Sequence, residues 1–336
     1  MKVLVTGAAG FIGFYVARAY AAQGIEVVGL DNINDYYDIN LKYERLEQTG
    51  INRFLIKKNV GTISSDKYPN YRFAKIDISD SDKLLKLFVE EQFTHVVHLA
   101  AQAGVRYSIE NPYTYIQTNV VGFLNILEGC RHNNVQHLVY ASSSSVYGNS
   151  KNIPFSEDQR VDCPISLYAA TKKSNELMAY TYSHLYDIPV TGLRFFTVYG
   201  PWGRPDMAPM LFASAIHKGD PINVFNYGDM ERDFTYVDDI VEGVMKIVPQ
   251  TPSKIPKVEV YNIGNSKPIK LMDFIKGIED ALGKKAIKNY MPMQDGDVQV
   301  TYADSSKLER AIKYKPEKSL AKGISDFIKW FKEYKK

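Results

Sequence analysis

The chain has 336 residues, of which 45% are hydrophobic and 24% are charged, as in ordinary globular proteins. This composition excludes a disordered, collagen-like or coiled-coil chain, and the length predicts one large domain or two joined domains. The 41 basic and 38 acidic residues leave a formal charge of +3. That charge is too small for a nucleic-acid binder that relies on bulk charge, so we expect no nucleic-acid partner.

The cysteines, the histidines and the lengths of the apolar runs indicate the cellular compartment and argue against a metal site or a membrane segment. Cys130 and Cys163 cannot form a disulfide framework, and they favour a reducing compartment. His95 and His98 would point to opposite faces of one strand, so no shared metal site is expected. The N-terminal apolar stretch imitates a signal peptide, but Arg18 and three glycines interrupt it. No apolar run reaches the roughly 18 residues of a membrane span, and we expect a cytoplasmic protein without a membrane segment.

Short apolar strand patterns alternate with helical patterns through the first half of the chain. The strand patterns cover residues 2–6, 26–30, 71–76, 94–98 and 137–142. The first helical pattern covers residues 11–22, and the longest ones cover 111–131 and 167–186. Brief, nearly continuous runs of Val, Ile and Leu are typical of strands buried on both faces. This order therefore predicts a parallel sheet covered by helices.

Three glycines, Gly7, Gly10 and Gly13, directly follow the first strand and open the first helix. They permit a tight turn, a close approach of the backbone to a pyrophosphate, and close packing of helix and strand, in that order. The helix N-terminus adds amide donors and a favourable dipole for phosphates. Asp31 ends the second strand, 18 residues after Gly13, where a carboxylate accepts both adenosine ribose hydroxyls and repels a 2′-phosphate. This spacing favours a site for NAD over NADP, and it disfavours the alternative that Asp31 only caps a loop.

The glycine loop and the alternating elements together predict an α/β protein with a Rossmann-type doubly wound parallel sheet. Beyond Gly200, prolines interrupt a mixed pattern, which indicates a smaller C-terminal mixed α/β substrate lobe. We expect residues 1–194 to form the dinucleotide-binding domain, with the chain returning to it around residues 230–265. Residues 195–336 would then form mainly the substrate-binding lobe.

Tyr168 and Lys172 lie four residues apart in a helical pattern and therefore share one face. A phenol with its ordinary pKa near 10 is a poor base at neutral pH, but a nearby ammonium stabilises the phenolate. Such a pair also occurs by chance on exposed helices. The serine run 142–145 favours a functional pair, because it ends the preceding strand, where doubly wound sheets bind their ligands.

These motifs resemble the extended short-chain dehydrogenase/reductases and, more narrowly, the nucleotide-sugar epimerases that act on UDP-glucuronate. The resemblance covers nearly the whole chain, through the segments 232–236 and 302–304. It implies that Ser143 binds the sugar 4-hydroxyl, that Tyr168 takes its proton, and that Lys172 holds the nicotinamide ribose. The substrate lobe would accordingly bind a UDP-sugar.

The resemblance also implies NAD as the cofactor and a set of residues that bind it. Asp77 and Ile78 would meet the adenine, and residues 99–101 would lie beside the phosphates and ribose. Gln102 stands near a position where related galactose-type epimerases often have glycine or lysine, which leaves its role open. The implied set is Gly7, Gly10, Phe11, Ile12, Gly13, Asp31, Asn32, Asp77, Ile78, Leu99, Ala100, Ala101, Tyr168 and Lys172.

The implied substrate residues favour a uronate sugar. Epimerases for neutral UDP-hexoses usually have Asn where Thr197 stands, and the segment 202–208 is similar to the uronate branch. Arg204 would meet the C6 carboxylate, because a guanidinium donates two parallel hydrogen bonds to a planar carboxylate. Arg232 matches a diphosphate-binding arginine and Asp297 a uridine ribose contact. The implied set is Arg106, Ser143, Ser144, Ser145, Thr197, Arg204, Arg232 and Asp297, with Arg106 near the sugar or phosphate or in a structural role.

The sequence therefore predicts a reversible UDP-glucuronate 4-epimerase activity with tightly bound NAD, no metal, and a 4-keto intermediate. Ser144 and Ser145 stand where related decarboxylases and dehydratases carry acidic residues. The alternatives are a UDP-glucuronate decarboxylase, a sugar-nucleotide 4,6-dehydratase, a neutral UDP-hexose 4-epimerase, and an NAD-sensing binding protein without catalysis. The resemblance also implies a homodimer that pairs the helices at 111–131 and 167–186.

Overall fold

The computed structural model describes residues 1–58 and 61–335 of the chain. Within these ranges the strands, in chain order, are β1 (Lys2–Thr6), β2 (Glu26–Asp31), β3 (Thr62–Ser64), β4 (Tyr71–Lys75), β5 (His95–His98), β6 (His137–Ser143), β7 (Val190–Phe195), β8 (Thr197–Tyr199), β9 (Pro221–Val224), β10 (Glu231–Tyr236), β11 (Val258–Ile263), β12 (Pro268–Lys270) and β13 (Ile287–Tyr290).

The α-helices in the same ranges are α1 (Phe11–Ala22), α2 (Ile39–Gln48), α3 (Arg53–Lys57), α4 (Ser81–Glu91), α5 (Tyr107–Glu110), α6 (Pro112–Tyr115), α7 (Gly122–His132), α8 (Leu167–Tyr186), α9 (Ala208–Lys218), α10 (Val237–Ile247), α11 (Leu271–Leu282), α12 (Ser306–Ile312) and α13 (Leu320–Tyr334). A π-helical segment, Ile116–Val121, joins α6 to α7, and short 3₁₀ turns cover Ser144–Tyr147 and Phe225–Gly228. None of the helices described is both long enough and apolar enough to cross a membrane.

The main sheet has eight strands in the order β11-β7-β6-β5-β1-β2-β4-β3. All neighbouring pairs in it are parallel except β3 and β4. The strand order reverses between β1 and β5, where Thr6 lies opposite His98. The predicted doubly wound parallel sheet is confirmed, and sheets of this kind bind ligands at the carboxyl ends of the strands beside such a reversal.

Alternating side chains of the main sheet fill two apolar layers. In β1, Val3 and Val5 join the layer that contains α1 and α10, while Leu4 joins the layer that contains α4 and α7. In β2, Val27 and Val28 divide between the two layers in the same way. Each fully buried side chain of this size contributes about 1.5–3 kcal/mol, so burial on both faces explains the nearly continuous apolar strands.

The rest of the chain adds two smaller sheets, of three strands in the order β12-β10-β8 and of two strands, β13 and β9. Strand β11, in contrast, pairs with β7 at the edge of the main sheet. A small apolar cluster includes Tyr147, Phe155, Phe196 and Ala303, and Tyr147 belongs to the 3₁₀ turn that follows β6. The division of the chain into domains at residues 194 and 195 stays a prediction.

The segment predicted as one helix over residues 111–131 is divided at its centre. The π-helical turn carries Asn119, whose side chain accepts a hydrogen bond from Gln102 N at 2.8 Å and donates to Gln102 O at 3.0 Å. The carbonyl of Asn119 accepts from Nδ2 of Asn175 on α8 at 2.6 Å. The widened turn therefore holds the loop after β5 against α8, a constraint that helical periodicity alone does not reveal.

Candidate active site

A cleft of about 1060 Å³ runs along the carboxyl ends of the main-sheet strands and continues along strands β8, β9 and β10 of the two smaller sheets. Of the residues predicted for the cofactor and the substrate, all except Asp77 line this cleft. Within the ranges 1–58 and 61–335, no group of three His, Cys, Asp or Glu side chains is arranged to hold a metal ion.

The glycine loop between β1 and α1 lies tightly against the loop after β5. Gly7 has a φ of +73°, and a Cβ atom there would lie 2.9 Å from the backbone nitrogen of Ala100. A Cβ atom on Gly13 would lie 2.1 Å from the carbonyl oxygen of Gly7, so neither position accepts a side chain. Helix α1 has no side-chain cap and no acidic residue in its first turn. Its amide donors are therefore left for an anionic ligand such as a pyrophosphate.

Asp31 joins the end of β2 to the glycine loop. Its two carboxylate oxygens accept hydrogen bonds from Ala9 N at 3.1 Å and Ile33 N at 2.8 Å, which leaves further lone pairs on both oxygens for ribose hydroxyls. Asp77 lies behind the cleft wall, where it accepts from Nδ2 of Asn32 at 2.7 Å. Burial raises the pKa of Asp77, but hydrogen bonds from Asn32 and Ser79 outweigh burial and hold that pKa below its ordinary value. Asp77 thus fixes the side chain of Asn32 without itself lining the cleft.

Thr6 and His98 hold the loop after β5 at the point where the strand order reverses. The Thr6 hydroxyl accepts from the backbone nitrogens of Leu99 and Ala100, each at 3.1 Å, and lies 2.8 Å from Nδ1 of His98. Its single proton is therefore donated to His98, which must be neutral to accept it. Burial, with a smaller effect from the charge of Lys172, lowers the pKa of His98 to about 3.

Ser143, Tyr168 and Lys172 converge from the end of β6 and the first turns of α8. The Ser143 hydroxyl accepts from Ser145 N at 3.2 Å and donates to Ser145 Oγ at 3.1 Å. Lys172 Nζ lies 6.0 Å from the centroid of the Tyr168 ring and donates to the carbonyl oxygen of Ala141 at 2.8 Å. Burial lowers the pKa of Lys172 to about 8. Burial also raises the pKa of Tyr168, whereas the nearby Ser143 hydroxyl and the charge of Arg204 oppose that rise.

A buried ion pair sets the position of α8 against the sheet. Glu176, one turn after Lys172, accepts from Arg194 of β7 through Nε at 2.8 Å and Nη2 at 2.9 Å. Glu176 also accepts from the hydroxyl of Ser142 at 2.7 Å. Because two bonds of a buried guanidinium fork tolerate little movement, the pair fixes the height of Tyr168 relative to the end of β6.

The guanidinium of Arg204 faces the cleft but already has a partner within the chain. Its Nε donates to Oδ1 of Asp206 at 3.0 Å, and its Nη2 donates to Oδ2 of the same carboxylate. The hydroxyl of Tyr36, from the loop after β2, donates to Oδ2 of Asp206 at 3.1 Å. Burial raises the pKa of Asp206, but Arg204 outweighs it and holds that pKa below its ordinary value. The sequence predicted Arg204 but not this counter-ion.

The residues predicted for the diphosphate and the uridine ribose form one charged cluster. Arg232 Nη2 donates to Oδ1 of Asp297 at 3.2 Å, and Arg106 Nη2 lies 3.6 Å from Oδ2 of the same carboxylate. The Arg106 guanidinium also lies over the ring of Phe225, 4.9 Å from its centroid. Two guanidinium groups share one carboxylate, so the cluster has a surplus positive charge suited to a phosphate group.

Lys42 and Gln294 are among the polar residues of the cleft that were not predicted. Lys42 of α2 is buried, and its Nζ donates to the carbonyl oxygen and the side-chain oxygen of Asn34 at 2.7 and 2.6 Å. Burial lowers the pKa of Lys42. Oε1 of Gln294 is buried with no hydrogen-bond partner in the part of the chain that the structure describes. Gln294 stands three residues before Asp297, so proximity to a predicted contact was the only signal for it.

Arg45 of α2 is another residue that sequence reasoning missed, and it is completely buried. Its Nη1 donates to the carbonyl oxygen of Ala9 in the glycine loop at 2.9 Å and to the hydroxyl of Tyr37 at 2.7 Å. Its Nη2 donates to the carbonyl oxygens of Trp202 at 2.7 Å and Gly203 at 3.2 Å. One guanidinium thus joins the glycine loop to the segment that carries Arg204.

The chain is similar in sequence and structure to proteins that handle nucleotide sugars. The profile of the NAD dependent epimerase/dehydratase family matches residues 3–264. The chain is 52% identical to protein CapI of Staphylococcus aureus, over the whole of both chains. It is 45% identical to UDP-glucuronate 4-epimerase 4 of Arabidopsis thaliana, over 99% of its own length and 76% of that protein's. It also resembles the crystal structure of the Bacillus cereus UDP-glucuronic acid 4-epimerase in complex with UDP-glucuronic acid and NAD. The TM-score is 0.87, with 33% identity and coverage of 99% and 100% of the two chains.

Proposed function

The chain belongs to the NAD dependent epimerase/dehydratase family, and from that premise we propose that it interconverts UDP-glucuronate and UDP-galacturonate by epimerisation at C4. The observation that carries the proposal is that Ser143, Tyr168 and Lys172 line the same cleft as Arg204. Ser143, Tyr168 and Lys172 supply acid–base chemistry at a sugar hydroxyl. Arg204 supplies hydrogen-bond donors for a sugar carboxylate.

The residues of the first half fit NAD as the bound cofactor. The glycine loop leaves no space for side chains where a pyrophosphate would approach, and the first turn of α1 keeps its amide donors. Asp31 would bind the adenosine ribose, and Lys172 the nicotinamide ribose. When bound, NAD supplies a hydride acceptor for C4 that later gives the hydride back, so the reaction has no net oxidation.

Tyr168 is the acid–base residue in this proposal. As a phenolate it removes the proton of the sugar 4-hydroxyl, and it returns that proton when the hydroxyl forms again. The ammonium of Lys172 stabilises the phenolate, and the hydroxyl of Ser143 orients the sugar oxygen. Epimerisation needs both faces of C4 to be presented in turn, so the sugar must rotate while Arg232 and Asp297 hold the UDP group.

Arg204, Ser144 and Ser145 have the second task of holding the C6 carboxylate. Oxidation at C4 makes the sugar a β-keto acid, which loses carbon dioxide when the carboxylate bond aligns with the carbonyl π-system. Hydrogen bonds from a guanidinium and two hydroxyls can keep the carboxylate out of that alignment. Serines also provide no acidic group for the proton relay of a decarboxylase or a dehydratase, which disfavours those two alternatives.

Incubation of the purified protein with UDP-glucuronate, without added NAD, tests the proposal. NMR of the products is expected to show UDP-galacturonate, with at most traces of a UDP-pentose. A UDP-pentose with release of carbon dioxide as the main product would mean that the protein is a decarboxylase. Conversion of UDP-glucose alone would mean a neutral hexose epimerase, and NAD binding without any conversion would mean a binding protein.

We also propose that the protein acts as a cytoplasmic homodimer. Exposed apolar side chains on α6 and α8 support a partner surface, since Tyr113 is 85% exposed, Leu177 58% and Tyr180 51%. Cys130 and Cys163 are both free thiols, which supports a reducing compartment.

A further inference from the structure

Arg204 is bound on one edge only. Asp206 occupies Nε and one proton of Nη2, while Nη1 has no hydrogen-bond partner among the residues described and is not fully enclosed. A guanidinium has five donors in a plane, and its two edges can each take a carboxylate. A sugar carboxylate can therefore bind at the free edge, through Nη1 and Nη2, without displacing Asp206.

Asp206 is itself held by Tyr36, which reaches over from the cofactor half of the chain. The Tyr36 ring packs against Tyr107 with a centroid distance of 4.9 Å, and a Cβ atom on Gly104 would lie 2.7 Å from the Tyr36 hydroxyl. This close packing leaves the hydroxyl little freedom. The segment before Arg204 is anchored separately by Arg45 through the carbonyl oxygens of Trp202 and Gly203. Arg45 thus fixes the backbone before Arg204, and Asp206 fixes its guanidinium group.

We propose that Tyr36 and Asp206 are positioning residues that aim the free edge of Arg204 and thereby decide whether a bound uronate is epimerised or decarboxylated. The inference rests on the proposed function and deepens it. Arg204 supplies the bonds to the carboxylate, whereas Asp206 fixes the plane of the guanidinium and Tyr36 fixes Asp206. Orientation matters here because the keto intermediate is stable only while its carboxylate stays out of line with the carbonyl group.

Asp206 is negatively charged and Arg204 is positively charged, so substitutions of the two residues should have different effects on the binding of a uronate. In Asp206→Asn the amide offers one acceptor in place of two, so the guanidinium loses one of its two fixed bonds while its positive charge becomes less compensated. A uronate should then bind at least as well as before, but in a less defined orientation. In Arg204→Met the uronate loses its charged partner and keeps only the hydroxyls of Ser144 and Ser145, so its binding should weaken.

The test compares Asp206→Asn, Tyr36→Phe and Arg204→Met with the wild-type enzyme on UDP-glucuronate. For Asp206→Asn we expect an unchanged or lower KM, a kcat reduced by about tenfold, and a several-fold larger fraction of pentose product. Tyr36→Phe should move kcat and the pentose fraction in the same directions by smaller amounts. Arg204→Met should instead raise the KM. Tyr290→Phe is the matched control, because Tyr290 is 50% exposed on β13 and does not line the cleft.

Bound NAD and the thermal midpoint of each variant establish that it is folded. The inference is overturned if wild-type protein makes UDP-galacturonate while Asp206→Asn and Tyr36→Phe keep its kcat and product ratio. It is overturned too if Asp206→Asn raises the KM as Arg204→Met does and leaves the product ratio unchanged. If wild-type protein makes no UDP-galacturonate, the proposed function fails first, and the inference fails with it.

Discussion

The phenol of Tyr168 and the ammonium of Lys172 lie close together in an environment that disfavours the charged form of each. Burial raises the pKa of Tyr168 and lowers that of Lys172 to about 8. A phenolate beside an ammonium offsets both penalties, because each charge stabilises the other. Beside a neutral phenol, Lys172 loses its proton above a pH of about 8, and it then has no charge with which to support a phenolate.

Replacing Tyr168 with phenylalanine should leave folding and NAD binding nearly intact but lower turnover by roughly 100-fold or more. Only the hydroxyl is lost, so the ring still packs edge-on against Tyr115, at a centroid distance of 6.1 Å. Turnover is measured by NMR on UDP-glucuronate, and NAD content by absorbance after denaturation. Wild-type turnover in the variant would remove Tyr168 from the mechanism.

Asp31 should make the protein retain NAD and not NADP, because its buried carboxylate would repel a 2′-phosphate. Denatured protein is expected to release NAD, identified by enzymatic cycling with NAD-specific and NADP-specific dehydrogenases. Asp31→Ala should release much less NAD. Asp35→Ala, which removes an exposed carboxylate from the same loop, serves as the control. Recovery of mainly NADP from the wild-type protein would refute this role.

The helices and strands that the sequence predicted correctly are those whose structure depends on neighbouring residues in the chain. The first strand, the glycine loop and α1 follow from apolar alternation and from three positions that accept no side chain. Helix α8 has the predicted bounds, Leu167–Tyr186, and the serine at 166 caps it by accepting from Ala169 N at 3.2 Å. A helix cap and the periodicity of apolar residues both involve residues that are close in sequence, so the sequence alone can predict them.

Long-range contacts account for what the sequence could not predict. The helix predicted over 111–131 is interrupted because Asn119 bonds to Gln102 and Asn175, residues remote from it in sequence. In the cleft, Arg204 was predicted by likeness to a motif, but its pairing with Asp206 depends on a loop conformation that the motif does not specify. Arg45 gave no signal at all, since its acceptors are three backbone carbonyls and the hydroxyl of Tyr37, which no motif connects to it.

The turn after β1 should be sensitive to acid through His98. The folded pKa of His98 is about 3, against an ordinary value of 6.5, so the unfolded chain binds a proton that the folded one excludes. The free energy of unfolding should therefore fall as the pH drops from 6.5 towards 3, by on the order of 3 kcal/mol at pH 4 from this residue. Urea unfolding at several pH values measures it. His98→Gln should flatten the dependence, whereas His184→Gln, at an exposed site, should leave it unchanged.

For the whole molecule, we expect a dimer at micromolar concentration, built on the apolar outer face of α8. Leu177→Lys should shift light scattering towards the monomer mass, because it places a charge in that face. Phe54→Lys is the control, since Phe54 is 68% exposed on α3, outside the proposed surface. A wild-type monomer at this concentration would contradict the proposal.

Arg45 links two segments of the whole molecule that are about 190 residues apart in the chain, the glycine loop and the segment before Arg204. Its guanidinium binds the carbonyl oxygen of Ala9 as well as those of Trp202 and Gly203, and it has no contact with water. Neither segment can move away without leaving part of a buried charge unsatisfied, so both should form one cooperative unit of local unfolding. Amide hydrogen exchange should give the glycine loop and residues 201–206 the same opening free energy, lowered together by Arg45→Lys. Different values for the two segments would contradict this coupling. With this coupling, we expect the protein to lose its cofactor pocket and its sugar pocket in a single event.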